Sequence, residues 1–278
     1  MKSYAYAKIN ITFEVLGRRD DGYHDIATVM QEIDLKDTLE FEPAASLRFD
    51  CDNAEIRSPD NLVVKAAKLL RKVSGYKGGA KIMLKKGIPV AACLGGGSSD
   101  AAATLVALNR LWKLKLSTDA LVALAAELGS DVPYFIRGGT ALAEGRGERI
   151  TPLPPLPQAY VVLVRPSVQI PEAKTKSMYG ALRPSHYSKG GRTKRIASAV
   201  RRGAGIEGLA LYNTFDSVAF EVYEGLEWYW EQLISSGAAE VHLSGAGPTL
   251  FTLLADRVSA QRLYKSLLDI GLETYIGK

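Results

Sequence analysis

The chain has 278 residues, of which 47% are hydrophobic and 23% are charged, a composition ordinary for a globular protein with room for two domains. No apolar stretch reaches the roughly 18–20 residues that a membrane-spanning helix needs, and the first residues lack the pattern of a signal peptide, so no membrane partner is expected. Two cysteines and three scattered histidines argue against a disulfide framework and a metal cluster, which favours a reducing cytoplasm.

The net charge of +5 comes from one segment of the chain. Residues 174–205 contain nine Lys or Arg residues and no acid, whereas the rest of the chain carries 26 basic and 30 acidic residues. The segment is rich in glycine and serine and poor in aromatic residues on which bases could stack. We therefore expect a solvated, mobile loop. The alternatives are a contribution to an anionic small-molecule site and, with less support, contact with nucleic acid.

The first half of the chain alternates between predicted strands and predicted helices. Period-2 or β-branched patterns predict the strands, over residues 8–16, 27–42 and 80–84. Amphipathic patterns predict the helices, over residues 60–75, 101–112 and 117–129. Asp60 and Ser117 are the expected N-caps, while Gly75 and Gly129 are the expected ends.

A proline-rich stretch, residues 151–157, separates the two halves, since its prolines forbid both a helix and a central strand. The elements predicted beyond it are a strand over residues 160–164, a helix over 215–234, a hairpin of 241–243 and 249–254, and a helix over 259–268. The chain is therefore predicted to be an α+β protein of two domains, residues 1–154 and residues 155–278.

A glycine-rich loop lies before the second predicted helix. Three consecutive glycines let the backbone approach a ligand closely, and the first amides of the helix would then face that ligand. Such a helix end attracts anions, so a phosphate is the natural occupant, and the two serine hydroxyls could donate to it or bind Mg²⁺. The loop residues predicted to bind are Pro89, Val90, Ala91, Ala92, Cys93, Leu94, Gly95, Gly96, Gly97, Ser98 and Ser99.

Other glycine motifs do not fit this loop. A Walker loop needs Gly-Lys-Ser/Thr after its spacer, and none follows. Both the dinucleotide fingerprint and the nucleophile elbow need a glycine where Asp100 stands. A purely structural turn remains the alternative, although the paired serines and the alanine-rich helix favour phosphate binding.

Three segments together resemble the galactokinase, homoserine, mevalonate and phosphomevalonate (GHMP) kinase superfamily. They are the glycine-rich loop, Ala-Lys-Ile-Asn at residues 7–10 and Ser-Gly-Ala-Gly-Pro-Thr at residues 244–249. The resemblance implies an N-terminal domain like domain 2 of ribosomal protein S5, which holds the loop and binds ATP, and a ferredoxin-like C-terminal GHMP kinase domain. It also implies an ATP-dependent kinase that phosphorylates an alcohol group, with Mg²⁺ accompanying the nucleotide.

A further element narrows the resemblance within the superfamily. The segment Gly-Arg-Arg-Asp-Asp-Gly-Tyr-His at residues 17–24 is similar to the branch that acts on a methylerythritol carrying cytidine diphosphate, in the non-mevalonate route to isoprenoids. This branch phosphorylates the 2-hydroxyl of that small-molecule substrate. The alternatives are another superfamily kinase, of the homoserine or mevalonate type, and a catalytically degenerate nucleotide-binding protein.

The resemblance assigns two catalytic residues. Asp131 matches the family's base for the substrate hydroxyl, and Lys8 matches the lysine beside it. An ammonium next to a carboxylate keeps it ionised but makes it a weaker base, so Lys8 would chiefly steady the developing alkoxide. From the residues alone, Asp131 could simply cap the following helix, and Lys8 could be a surface charge.

The resemblance also implies the binding residues. Tyr23 and Tyr179 would sandwich the cytosine and His24 would contact its edge, although core packing is the ordinary role for either tyrosine. Asn10 and Thr175 match positions that hold the sugar and the reacting hydroxyl. The expected neighbours of adenine are Asn61 and Lys86. The loop departs from the family at Cys93, where glycine is usual, which puts a left-handed backbone there in doubt.

Overall fold

The computed structural model describes residues 1–157, 159–205 and 209–278. Three strands come first along the chain, and a fourth strand separates the first α-helix from the next three. The strands are β1 (Lys2–Arg18), β2 (His24–Ala44), β3 (Arg48–Cys51), β4 (Gly79–Lys85), β5 (Thr140–Gly145), β6 (Arg149–Pro152), β7 (Tyr160–Val164), β8 (Tyr212–Asn213), β9 (His242–Leu243), β10 (Leu250–Leu254) and β11 (Thr274–Gly277).

The α-helices are mostly short. They are α1 (Leu62–Ser74), α2 (Gly96–Leu111), α3 (Thr118–Ala126), α4 (Val132–Arg137), α5 (Lys174–Ala181), α6 (Gly191–Arg201), α7 (Ala219–Val222), α8 (Leu226–Ser235) and α9 (Arg257–Asp269). Within the described ranges, no helix has both the length and the apolar character needed to cross a membrane.

The chain divides into two compact units made of interleaved segments. Unit 1 consists of Met1–Ala7, Leu35–Val90 and Gly95–Gly138. Unit 2 consists of Lys8–Asp34, Ala91–Leu94 and Gly139–Lys278. Both β1 and β2 therefore contribute residues to each unit. The predicted domain boundary between residues 154 and 155 stays a prediction, since these units cut the chain at other places.

Unit 1 is a sheet covered by helices. Its strand order is β3-β4-β2-β1, and the antiparallel pairing of β2 with β4 runs from Thr38 opposite Lys85 to Ala44 opposite Gly79. Apolar side chains of α1 and α2 meet the sheet in one core. Leu70 and Leu105 are fully buried in that core. Each buried side chain of this size contributes about 1.5–3 kcal/mol of hydrophobic free energy.

Unit 2 contains two sheets. In the first, β2 pairs with β5 and β5 with β6, while β1 pairs in parallel with β8. The second sheet has the antiparallel order β11-β7-β10-β9. Its central strand β7 is a continuous apolar run, as expected for a strand with neighbours on both sides and helices on a face. Strand β9, which has two residues, forms the predicted hairpin with β10, and Leu243 lies opposite Leu250.

Several local predictions are confirmed by the structure. The hydroxyl of Ser117 accepts a hydrogen bond from Ala120 N at 3.2 Å and so caps α3. Gly75 ends α1 with a left-handed backbone, at φ 65°. The predicted strand over residues 160–164 coincides with β7. These features depend on neighbouring residues only, which is why the sequence suffices for them.

Two predicted helix starts are wrong. The cap of α1 is Asn61, not Asp60, because the Asn61 side chain accepts from Val63 N at 2.9 Å. The helix predicted to begin at residue 101 begins at Gly96, since Gly95 caps it with a left-handed φ of 74°. Gly96 and Gly97 are thus part of the first turn of α2.

The single long helix predicted over residues 215–234 is also wrong. The chain there forms a 3₁₀ turn at Thr214–Val218, then α7 and then α8. Gly225 stands before α8 with φ 81°, a conformation that interrupts a helix. A single glycine in an otherwise helical pattern was a weak signal for this interruption.

The basic segment is helical in part, so the prediction of a solvated loop over residues 174–205 is wrong. It forms α5 and α6, and α6 buries a narrow stripe made of Thr193, Ile196, Ala197 and Val200. The charged side chains of α6 occupy its other face. The stripe has helical spacing, but the many charged residues around it make the amphipathic pattern difficult to recognise in the sequence.

Candidate active site

The glycine-rich loop has a backbone that few residues other than glycine adopt. Gly95 has φ 74°, while Ala91 and Cys93 have φ 59° and φ 57°. Cys93 therefore keeps the left-handed conformation that its departure from the family pattern had put in doubt. A non-glycine residue in this region costs about 1–2 kcal/mol, so the surrounding structure holds the loop in this shape.

In unit 1, the start of α2 has the backbone geometry expected of the predicted anion site. The first amides of a helix have no partner within the helix and carry the positive end of its dipole. A side chain at Gly96 would press on its surroundings, because a Cβ there would lie 3.1 Å from Ile88 Cγ2 and 3.2 Å from Lys86 Nζ. Ser98 is half-buried and Ser99 is buried in this first turn. Phosphate binding by this turn stays a prediction.

Lys86 lies beneath this turn in a cluster with two buried carboxyl groups. Its ammonium contacts Asp37 Oδ2 and lies 3.1 Å from Asp100 Oδ2. Asp37 Oδ1 also accepts from the amides of Gly87 and Ile88, at 2.7 and 2.8 Å. The Lys86 side chain is only 11% exposed. The cluster thus joins the chain segment before the loop to the helix after it.

Asp100 is the unusual member of the cluster. Its Oδ1 is buried and has no hydrogen-bond partner among the described residues. Burial raises the pKa of Asp100 to about 8, and the neighbouring ammonium of Lys86 only partly offsets that effect. The carboxyl of Asp100 therefore tends to keep its proton near neutral pH, which limits the negative charge below the anion site.

The two residues predicted near adenine are both engaged in unit 1. Asn61 accepts from Val63 N and donates to Ile56 O at 2.9 Å, so its side chain orients the start of α1. Lys86 is engaged by its two carboxyl groups. Their contact with a nucleotide stays a prediction.

In unit 2, Lys8 and Asn10 form a buried polar pair on β1. Lys8 is 5% exposed and Asn10 is 2% exposed. Lys8 Nζ donates to Asn10 Oδ1 at 2.7 Å, and Asn10 Nδ2 donates to Thr28 Oγ1 at 2.8 Å. Thr28 in turn donates to Thr12 O. An ammonium held inside the protein by such a chain of hydrogen bonds is not a surface charge.

The segment 244–249 closes on this pair within unit 2. A Cβ at Gly245 would lie 3.2 Å from Asn10 Oδ1 and 3.6 Å from Lys8 Nζ, and its φ is 56°. Ser244 Oγ donates to Cys93 O at 3.2 Å, and Lys8 N donates to Leu94 O at 2.9 Å. The part of the loop in unit 2 and the two other motifs of the superfamily are therefore assembled around one ammonium.

Two side chains outside the predicted set support this assembly. Asn213 Nδ2 donates to Leu243 O and Gly245 O, at 2.8 and 2.7 Å. Lys174 Nζ contacts Ala91 O and Gly247 O, the latter at 3.2 Å. These contacts span between 30 and 83 residues of sequence, so spacing alone could not reveal them.

Asp131 stands in unit 1 at the N-cap position of α4 and is half-buried. Its side chain makes no capping hydrogen bond to that helix, which has Pro133 in its first turn. The simple structural explanation of this residue, that it caps α4, is therefore not supported. Its role as a base stays a prediction.

The residues predicted to hold cytosine lie in unit 2. The His24 ring stacks on Tyr179, with centroids 4.6 Å apart and an interplanar angle of 18°. Tyr23 is 58% exposed, and the guanidinium of Arg146 lies 4.9 Å from its centroid. The structure thus brings His24 and Tyr179 together and places Arg146 over Tyr23. Thr175 is exposed near the start of α5.

A third ring, Tyr187, completes the aromatic group and was not predicted. Its hydroxyl lies 3.3 Å from His24 Nε2, and its ring meets the imidazole edge-on. Burial, together with the charge of Arg18, lowers the pKa of His24. The imidazole is therefore neutral near neutral pH. An aromatic residue in a basic, serine-rich segment was the one available signal for Tyr187.

Among the described residues, no group of three or more His, Cys, Asp or Glu side chains could hold a metal ion. The side chains that suit an oxygen-seeking cation near the anion site are the hydroxyls of Ser98 and Ser99.

Family models match two parts of the chain. The model described as the GHMP kinases N terminal domain matches residues 61–139. The model described as GHMP kinases C terminal matches residues 194–271. The first match contains the glycine-rich loop and Asp131, and the second contains the segment 244–249.

Curated relatives match nearly the full chain. The 4-diphosphocytidyl-2-C-methyl-D-erythritol kinase of Pelotomaculum thermopropionicum is 43% identical over 263 residues, 93% of this chain and 91% of the relative. The enzyme of the same name from Dehalococcoides mccartyi is 40% identical over 272 residues, 98% and 95% of the two chains. A crystal structure of 4-(cytidine 5'-diphospho)-2C-methyl-D-erythritol kinase has a TM-score of 0.86 and 34% identity, covering 100% of this chain and 98% of that one.

Proposed function

The chain belongs to the 4-diphosphocytidyl-2-C-methyl-D-erythritol kinases of the GHMP kinase superfamily, and we propose that it phosphorylates the 2-hydroxyl of that compound with ATP. The superfamily and the fold class predicted from the motifs are confirmed. The reaction belongs to non-mevalonate isoprenoid precursor synthesis. The proposed setting is the cytoplasm, consistent with two cysteines that are both free.

The observation that carries the proposal is the buried ammonium of Lys8. Burying an ammonium to 5% exposure costs free energy unless polar groups compensate for it. Here the ammonium lies beside Asn10 and Gly245, in motifs of the superfamily. A developing alkoxide is the kind of charge that such a group stabilises. We therefore assign Lys8 to the acceptor oxygen, with Asn10 orienting the ammonium.

The donor side of the proposal rests on the glycine-rich loop. The left-handed residues between Ala91 and Gly95 lead into the first turn of α2, whose amides point toward an anion. We propose that residues 89–99 bind the phosphates of ATP. Mg²⁺ would be held by those phosphates and by Ser98 or Ser99, and it would supply charge neutralisation of the triphosphate.

The proton has a proposed acceptor in Asp131. As the hydroxyl oxygen bonds to the γ-phosphorus and the bond to ADP breaks, the hydroxyl proton passes to the Asp131 carboxylate. Because phosphoryl transfer has a loose transition state, the proton leaves late and the protein contributes mainly position and charge. The assignment is supported by the match of Asp131 to the family motif.

For the acceptor, we propose that the aromatic group of unit 2 binds the cytosine. Tyr179 is the predicted stacking partner of the base, and stacking is worth about 1–3 kcal/mol per base. Tyr23, which is largely exposed, can close over the base. Thr175 is predicted to contact the part of the substrate that carries the reacting hydroxyl. The basic residues of α6 are not assigned a nucleic-acid partner.

An ADP-release assay tests the function. The wild-type protein is given ATP, Mg²⁺ and, in parallel, diphosphocytidyl-methylerythritol, mevalonate or homoserine. Turnover with the first compound alone is expected, and turnover with either of the others instead would overturn the proposed substrate. Asp131→Asn should lower kcat by at least roughly 10²-fold, the lower range for loss of a general base. A smaller loss would remove Asp131 from that role.

A further inference from the structure

A chain of aromatic rings leads from the core of unit 2 to its surface. Phe13 stacks on Phe215 with centroids 5.2 Å apart, and Phe215 meets Tyr179 edge-on at 4.9 Å. Tyr179 then stacks on His24, and His24 meets Tyr187. Phe215 is fully buried, so the inner end of the chain is fixed. The position of the His24 imidazole therefore depends on the residue that contacts it at the outer end of this chain.

Tyr187 is itself held in place. It follows the 3₁₀ turn Pro184–His186, and the next residue is tied to a strand, because Ser188 N donates to Val15 O at 3.0 Å. Gly190 then packs on Leu16, at 3.5 Å from the nearest methyl group to a Cβ built there. The backbone next to Tyr187 is thus anchored to β1 by the Ser188–Val15 hydrogen bond.

The hydroxyl of Tyr187 has one ring nitrogen within reach. Its Oη lies 3.3 Å from His24 Nε2. A phenol is an O–H donor at neutral pH, and a neutral imidazole carries one proton. If Tyr187 donates to Nε2, the proton of His24 must sit on Nδ1. The contact therefore decides both the angle of the imidazole and which nitrogen donates.

We propose that Tyr187 is a positioning residue for the acceptor, which donates to His24 Nε2 and holds the ring flat on Tyr179 with Nδ1 protonated. His24 then presents an N–H donor at a set position, which suits the acceptor atoms N3 and O2 on the edge of cytosine. This inference rests on the proposed function for the identity of the base. The Tyr187–His24 contact itself does not.

The neutral state of His24 fits this arrangement. Burial and the nearby Arg18 lower the pKa of His24, so the protonated form, in which Nε2 could not accept, is disfavoured. The hydroxyl of Tyr187 favours the neutral form further, since it bonds to the lone pair that a second proton would take. Removal of that hydroxyl should therefore raise the pKa of His24.

The first test follows this titration directly. The chain has three histidines, His24, His186 and His242, so their imidazole C–H resonances can be followed by NMR, and His24→Asn assigns the first. In Tyr187→Phe the His24 resonance should titrate at higher pH than in the wild type. Tyr264→Phe removes a hydroxyl from α9, in the core of the same unit, and should leave that titration unchanged. An unchanged His24 titration in Tyr187→Phe overturns the proposal.

The second test is kinetic. Tyr187→Phe should raise the KM for diphosphocytidyl-methylerythritol by about 3- to 10-fold, the effect of one hydrogen bond, with the KM for ATP unchanged. In a His24→Asn background the same substitution should have no further effect. An equal effect in both backgrounds, or a rise in both KM values, overturns the positioning role. If the wild type does not turn over this acceptor while the NMR shift is seen, the proposed substrate fails and the Tyr187–His24 contact stands.

Discussion

Lys86 Nζ lies 3.1 Å from Asp100 Oδ2, inside unit 1, and this contact links the start of the glycine-rich loop to the helix that follows it. The same ammonium contacts Asp37, whose other oxygen binds the amides of Gly87 and Ile88. The start of α2, where the anion site is predicted, is therefore braced by a buried charge cluster.

Lys86→Met should destabilise the protein strongly. The substitution leaves two buried carboxyl groups without their cation, and loss of one partner of a buried pair costs about 3–5 kcal/mol. Urea denaturation followed by circular dichroism measures this free energy of unfolding. Lys81→Met is the matched control, because Lys81 forms an exposed pair with Glu42 at 3.5 Å, and such pairs contribute about 0–1 kcal/mol. Equal losses in the two variants would show that the Lys86 cluster is not a stabilising unit.

The pKa of Asp100 predicts a pH dependence of stability. Burial raises this pKa from 3.8 to about 8, so the folded state binds the proton more tightly than the unfolded state. The stabilisation from this group is therefore complete below the unfolded pKa and is lost as pH rises through about 8. Asp100→Asn, which mimics the neutral carboxyl, should flatten the curve of unfolding free energy between pH 5 and pH 9. A curve of the wild-type shape in Asp100→Asn would contradict the assignment.

Cys93→Gly should stabilise the loop. Cys93 has φ 57°, where a side chain costs about 1–2 kcal/mol and glycine costs none. Part of the gain is offset because glycine gives the unfolded chain more freedom, so we expect about 1 kcal/mol in the free energy of unfolding. Chemical denaturation measures it, and Cys51→Gly is the contrast, since Cys51 lies buried in a strand and should lose stability. A destabilised Cys93→Gly would mean that the Cys93 side chain contributes packing that outweighs the strain.

Gly245→Ala should remove most activity while the protein still folds. The new Cβ would lie 3.2 Å from Asn10 Oδ1, which is a tight contact, so Asn10 must shift, and with it the Lys8 ammonium that donates to this oxygen. A misplacement of about 1 Å can cost 10²-fold in rate. Steady-state kcat with ATP and the acceptor is the measurement.

Gly271→Ala is the control for Gly245→Ala. Gly271 also has a left-handed backbone, at φ 82°, but no atom lies within 4 Å of a Cβ built there. The two variants therefore share the backbone strain and differ in the contact with the Lys8 pair. A loss of kcat of the same size in both would mean that strain, and not displacement of Lys8, causes the effect.

The sequence alone determined the features that depend on neighbouring residues. The three glycines before an alanine-rich segment predicted an anion site at a helix start, since both the left-handed backbone and the unpaired amides are local properties. Ser117 as a cap, Gly75 as a helix end and residues 160–164 as a strand are of the same kind. The three motifs also sufficed for the family, because each preserves residue types in a short, ordered run.

Only the tertiary structure decided which distant side chains meet. Lys86 and Asp37 are 49 residues apart and His24 and Tyr187 are 163 apart, and no periodicity relates such pairs. The cluster below the loop and the ring that orients His24 were therefore invisible in the sequence. The helices of the basic segment were missed for a related reason: α6 forms because its narrow apolar stripe is buried by the fold, and its charges hid that stripe. Local chemistry predicts where an element begins and what it can bind, whereas burial decides which partners it has.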